Sequence, residues 1–237
     1  MTEEIQENPF SLSIGDLMAA LLLLFVLILM GVLLQLQEQV EQQNIIVDKF
    51  DNLNEELYKD LLTEFEGDLK DWNATIIDTT LSIRFEEPKL LFGNGKSNLK
   101  EPFKDILDEF FPRYLNVIRR PKYINEISEI RIEGHTSSLG SGSIDNNYIE
   151  NLKLSQDRSR KTLEYLFGNK SMNKSEKNWC ISKLTANGLS WSKLILKPGT
   201  NQEDQNKSRR VEFRVKIDAE KKLRDLSNMM KEKKTIN

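Results

Sequence analysis

Across 237 residues the chain carries 34 Lys and Arg against 37 Asp and Glu, 38% hydrophobic residues and one cysteine, Cys180. That length suits a membrane anchor, a stalk and one globular domain rather than two large domains, and a single cysteine excludes an intrachain disulfide. A lone histidine, His135, with no cysteine pair or metal-ligand spacing, argues against an enzyme built on a metal or a nucleophilic triad.

The nearly balanced total hides a segregation. Residues 1–15 hold Glu3, Glu4 and Glu7 and no base, and form a short N-terminus up to residue 13. Residues 35–78 hold twelve acids against Lys49, Lys59 and Lys70, whereas residues 79–237 hold 31 Lys and Arg against 21 Asp and Glu, a net +10. An acidic stalk therefore carries a basic domain. Such a domain suits an acidic polymer or nucleic acid, and beyond a membrane span the acidic polymer is the favoured partner, with no nucleic acid expected.

From Leu17 to Leu34 no residue is polar. Eighteen residues at about 1.5 Å each cover roughly the 30 Å hydrocarbon core of a bilayer, so residues 14–35 read as one uncleaved transmembrane helix. Asp16 stands at the edge of that run. An acid there is a functional candidate because charge is costly in hydrocarbon, although an N-cap at the membrane surface explains it equally well from composition. The flanks carry no Lys or Arg close to the span, so charge does not orient it.

Residues 36–78 repeat apolar side chains at Leu36, Val40, Val47, Phe50, Leu53, Leu57, Leu61, Phe65, Leu69, Trp72 and Ile76, one face of a helix. The stripe packs either on the same helix of a second copy or on its own domain, and Gly67 marks a break. A strand is predicted over Thr79–Phe85, continuing loosely through Lys89–Phe92, then a turn at Gly93-Asn94-Gly95. A helix follows from near Asn98, kinked by Pro112 and running to Ile118. The remaining elements are a strand at Ile127–Glu133, a Gly/Ser loop, a helix over Asn147–Phe167, a polar stretch at 169–180, strands at Leu184–Gly188 and Arg209–Ile217, and a charged tail at 218–237. That order predicts an α/β (α+β) two-layer sandwich.

Three clusters carry a resemblance: Glu133-Gly134-His135-Thr136, then Asn151-Leu152-Lys153-Leu154-Ser155-Gln156-Asp157-Arg158, then Arg209-Arg210-Val211-Glu212-Phe213. They resemble the GHTD, NxxLSxxR and NRRVEF patterns of OmpA-like peptidoglycan-binding domains and cover residues 79–217, which implies a βαβαββ fold. The resemblance implies a carboxylate clamp at Arg158, with Asn151, Leu154, Thr136 and Ser137 in the same groove and Arg209 and Arg210 beside it. An arginine fork suits the carboxylates of peptidoglycan stem peptides, including the amino-carboxylate end of diaminopimelate. The alternative is that these arginines pair with internal acids such as Asp157 or Glu212. Ser137 departs from the family, which has Asp there to take the ligand's ammonium, and Ser208 replaces the usual Asn. His135 reads as a structural residue at a strand end.

Asp16 at the start of the span, with Met18 and Ala20, is similar to the membrane helix of MotB-like stator subunits, although the basic N-terminal arm of flagellar members is missing. The nearer resemblance is to the ZorB subunits of the Zorya antiphage defence system. It implies a single-pass inner-membrane protein with a cytoplasmic N-terminus and a periplasmic C-terminal domain. It also implies a homodimer inside a ring of MotA-like (ZorA-like) multi-span subunits, Asp16 as the carboxylate that carries translocated H+ or Na+, and no other cofactor. A passive wall tether and a flagellar stator subunit are the alternatives.

Overall fold

The computed structural model describes residues 9–86, 91–93, 95–168 and 172–218. The predicted strand extension at Lys89 and Leu90, Asn94 of the turn, and the tail beyond Asp218 lie outside them, as does most of the short N-terminus. Helix α1 covers Pro9–Phe65, and two compact units divide at Phe50 and Asp51.

In the first unit, an 18-residue window within Ile14–Glu41 has a mean hydropathy of 3.2 and buries nothing. Leu17, Met18 and the leucines that follow are all exposed. A helix apolar on every side matches lipid rather than water.

The second unit is a five-stranded mixed sheet in the order β1-β2-β5-β3-β4, with β1 at Ala74–Ile77, β2 at Ser82–Phe85, β3 at Ile127–Gly134, β4 at Leu184–Gly188 and β5 at Val211–Ile217. The β1–β2, β2–β5 and β5–β3 pairs are antiparallel, and β3–β4 is parallel. Helices α2 at Glu101–Ile118, α3 at Ile144–Gly168 and α4 at Lys174–Lys183, and the single turn α5 at Gln205–Ser208, complete it. Alternation sets the two faces of β5: Val211, Phe213 and Val215 join the core, whereas Arg214 and Lys216 meet Glu133 and Glu129 on the opposite face. Phe213 is ringed by Phe85, Phe110, Phe111 and Tyr114 at 5.1–6.3 Å between centroids.

The boundary between stalk and domain moves. The last turns of α1 belong to the domain: Leu57, Leu61 and Phe65 have no exposed surface, and Trp72 and Ala74 share the same core. The apolar stripe from Leu53 onward thus finds its partner in its own domain, while the side chains of Val47 and Phe50 lie outside the described set. Ala74–Ile77 is a strand rather than stalk helix, because the helix ends at Phe65 and Asn73 adopts a left-handed φ of 46°. Residues 78–80 form a tight turn, so the strand predicted from Thr79 starts at Ser82.

One further local reading changes, while helix α2 runs through Pro112 to Ile118 as expected. The polar stretch before Cys180 becomes helix α4 because Asn173 and Glu176 close a capping box, each side chain accepting from the other's backbone N–H at 2.9–3.0 Å.

Basic residues fix the end of α1 to the domain. Arg113 donates to Glu64 Oε1 (2.7 Å), the Glu64 carbonyl (2.6 Å) and Asp68 Oδ2 (2.8 Å), and lies 5.0 Å from the Phe65 ring centroid. Asp60 accepts from Tyr123 (2.7 Å) and pairs with Arg120 (2.8 Å) and Lys122 (2.9 Å).

Candidate functional site

The parallel β3–β4 pair ends in glycines because α3 crosses it closely. A Cβ on Gly134 would stand 2.3 Å from the Ser155 carbonyl oxygen, and one on Gly188 would stand 2.4 Å from the Gln156 amide nitrogen. Gly188→Ala should therefore push α3 off the sheet at a cost of about 1–3 kcal/mol, lowering the melting temperature by roughly 2–4 °C per kcal/mol. Thermal unfolding by circular dichroism checks this.

The loop after β3 is strapped to α3. Asn147 donates to the Ser138 carbonyl (2.9 Å), and Asn151 donates to the Leu139 carbonyl (3.2 Å) and to Asn147 Oδ1 (2.5 Å). Asn151 thus fixes the loop with its amide nitrogen. Thr136 donates its backbone N–H to the Ser190 carbonyl (2.9 Å), and its Oγ1 is buried without a partner among the described residues. Ser137 is buried, and Leu154 is half-buried on the helix above.

Arg158, two turns beyond Asn151 on α3, is only 4% exposed. Its Nε donates to the Lys96 carbonyl (3.0 Å), and its guanidinium lies 4.9 Å from the centroid of the Phe92 ring. No carboxylate pairs with it among the described residues. Burial, and then the positive charge of Arg209, push its pKa down to about 10. A guanidinium so placed lacks an anion, and its fork is unused. Arg209 donates to Asn206 Oδ1 (2.7 Å), while its buried Nε has no partner among the described residues.

Arg210 does not join this group. It is buried on the other side of the chain, with Nε on Glu212 Oε1 (2.5 Å) and a terminal nitrogen on the Ser208 carbonyl (3.0 Å). The internal-acid alternative therefore applies to Arg210, because alternation along β5 turns it and Glu212 toward the same side. Phe92 and the Lys96 carbonyl, which hold the Arg158 guanidinium, were missed by the sequence reading. Both come from an irregular segment, where periodicity gives no signal.

Glu133, His135 and Glu212 place one ligand atom each within 4.8 Å of one another. Arg210 and Arg84 already neutralise Glu212, so this cluster is a closed internal network rather than an open cation site. Burial alone would raise the Glu212 carboxyl, but Arg210, His135 and Arg84 outweigh it and hold the group at about 2. The folded value lies below the ordinary 4.5, so the stabilisation is present above about pH 4.5 and lost as pH falls toward 2. It amounts to roughly 3 kcal/mol. His135 works in the same direction: burial lowers its pKa, so acid favours the unfolded chain. Urea unfolding at pH 7 and pH 3 should show the loss, and Glu212→Gln should flatten it.

No family model matches the chain. Zorya protein ZorB of Escherichia coli (strain Crooks) is 40% identical over 223 residues, 93% of this chain and 93% of that protein. Similar solved structures include a MotB-like protein from Desulfovibrio vulgaris (TM-score 0.49, 21% identity, 74% of this chain and 94% of that one). The periplasmic domain of Helicobacter pylori MotB gives a TM-score of 0.44 at 15% identity, over 68% and 90% of the two chains. Identity of this level along nearly the whole length of both proteins is decisive, and the chain belongs to the ZorB family.

Proposed function

We propose that this chain is the wall-anchored, ion-carrying subunit of a MotA/MotB-like motor that acts in antiphage defence. A homodimer of span helices sits within a ring of MotA-like (ZorA-like) subunits, with the N-terminus in the cytoplasm and residues 51–218 in the periplasm. The domain holds peptidoglycan, and Asp16 carries H+ or Na+. The observation that carries the wall-binding half is Arg158, a buried guanidinium with an unused fork and no anion among the described residues. Stem-peptide carboxylates are the matching ligand.

For the motor half, the support is an acid at the start of an apolar helix in a chain of this family. Small residues beside it, Ala19 and Ala20, permit close helix approach. A carboxylate that is alternately charged and neutralised there changes the interface by one charge. Each ion crossing a potential of 100 mV supplies about 2.3 kcal/mol to drive the change. With the dimer held by the wall, the ring is the part that turns.

Asp16→Asn tests the motor half. Membrane insertion and sedimentation on cell wall should be unchanged, while protection against phage should be lost entirely. Unchanged protection would reduce the chain to a tether.

A further inference from the structure

Glu203 lies in the segment between β4 and β5, and its half-buried carboxylate faces the loop after β3. The Ser138 backbone N–H donates to Oε1 (3.1 Å) and Oε2 (3.3 Å), and the Ser138 hydroxyl donates to Oε2 (2.5 Å). These are all neutral donors. No Lys, Arg or His pairs with Glu203 among the described residues, in a domain where most buried or half-buried acids have such a partner. A carboxylate that is fixed but unneutralised has remaining lone pairs suited to an ammonium group.

The two unpaired charges are connected through the loop after β3 and the helix it is tied to. On one side, Ser138 and Leu139 are tied to α3 through Asn147 and Asn151, and the same helix carries Arg158 two turns on. On the other, the segment that starts at Glu203 runs through the α5 turn to Arg209, whose charge is felt by Arg158. Thr136 Oγ1, buried and without a partner among the described residues, lies in the loop after β3.

We propose that Glu203 is the specificity-determining residue of the binding site proposed at Arg158, taking the ammonium of an amino-carboxylate ligand whose carboxylate lies on Arg158. This rests on the wall-binding reading of Arg158 and adds a counter-charge from a segment outside the three sequence clusters. It also gives Ser137 a context: the negative charge missing from that position is supplied from across the loop.

The test uses the full chain in detergent and competition against sedimentation on purified cell wall. The competitors are meso-diaminopimelate and pimelate, the same dicarboxylate without ammonium groups. The wild-type chain should be displaced by diaminopimelate at a concentration about tenfold or more below that of pimelate, the size of one charge-assisted contact. Glu203→Gln keeps an acceptor for Ser138 and should bring the two competitors within about twofold, with the pimelate value unchanged. That unchanged value reports an intact fold and groove. Wild-type indifference to the ammonium, or a Glu203→Gln variant that keeps the full preference, overturns the proposal and leaves Arg158 untouched. Wall binding that survives Arg158→Ala overturns the underlying reading instead.

Discussion

Arg158→Ala should abolish sedimentation on purified cell wall while leaving the domain folded. The side chain makes one hydrogen bond, to the Lys96 carbonyl, and stacks on Phe92, so its removal breaks little internal structure. It also removes a buried cation that has no anion among the described residues, which offsets part of the lost packing. The proposed ligand, by contrast, loses the guanidinium that would hold its carboxylate. A charge-assisted hydrogen bond contributes about 1.5–3 kcal/mol, so affinity should fall on the order of 10- to 100-fold, enough to empty a pull-down. Arg158→Lys keeps the charge without the planar fork and should recover little. A urea midpoint close to wild type, measured alongside, shows that binding rather than folding was lost. Sedimentation at the wild-type level would place the wall-binding groove elsewhere.

The second large effect concerns where the domain begins. A fragment starting at Thr79 should fail to fold cooperatively, whereas one starting at Asp51 should melt as a unit. The shorter fragment lacks Leu57, Leu61, Phe65 and Trp72, all core residues, together with strand β1. Deleting one such side chain costs about 2–5 kcal/mol, and the four together exceed much of the 5–15 kcal/mol that holds a typical domain. Arg113 would also lose Glu64 and Asp68, and Tyr123 would lose Asp60. Circular dichroism melts of the two fragments decide the matter. A sharp, wild-type-like transition for the fragment from Thr79 would refute the assignment.

Most of the sheet was legible because alternation is a strong local signal, as in Val211 to Ile217 and Ile127 to Glu133. The α1 stripe was also visible, yet its partner was not. Leu57, Leu61 and Phe65 have the same spacing whether they meet a second copy or their own domain, and only tertiary contacts distinguish the two. Ala74–Ile77 was absorbed into the helix because Trp72 and Ile76 happen to continue its period. Arg158 was singled out through its motif, and pairing of Arg210 with Glu212 was one of two open readings, but neither motif nor periodicity gave a sign that Glu203 approaches Ser138, 65 residues away in sequence.

The docked end of α1 has a mechanical consequence. Any tension arriving along the chain from the span enters the domain at Asp51–Phe65, ahead of the sheet. There it meets a clasp of charges, Asp60 with Arg120 and Lys122, and Glu64 with Arg113, laid over the buried Leu57, Leu61 and Phe65. The load is therefore met first by the end of α1, before it reaches the sheet and the proposed site on α3 and the β3 loop.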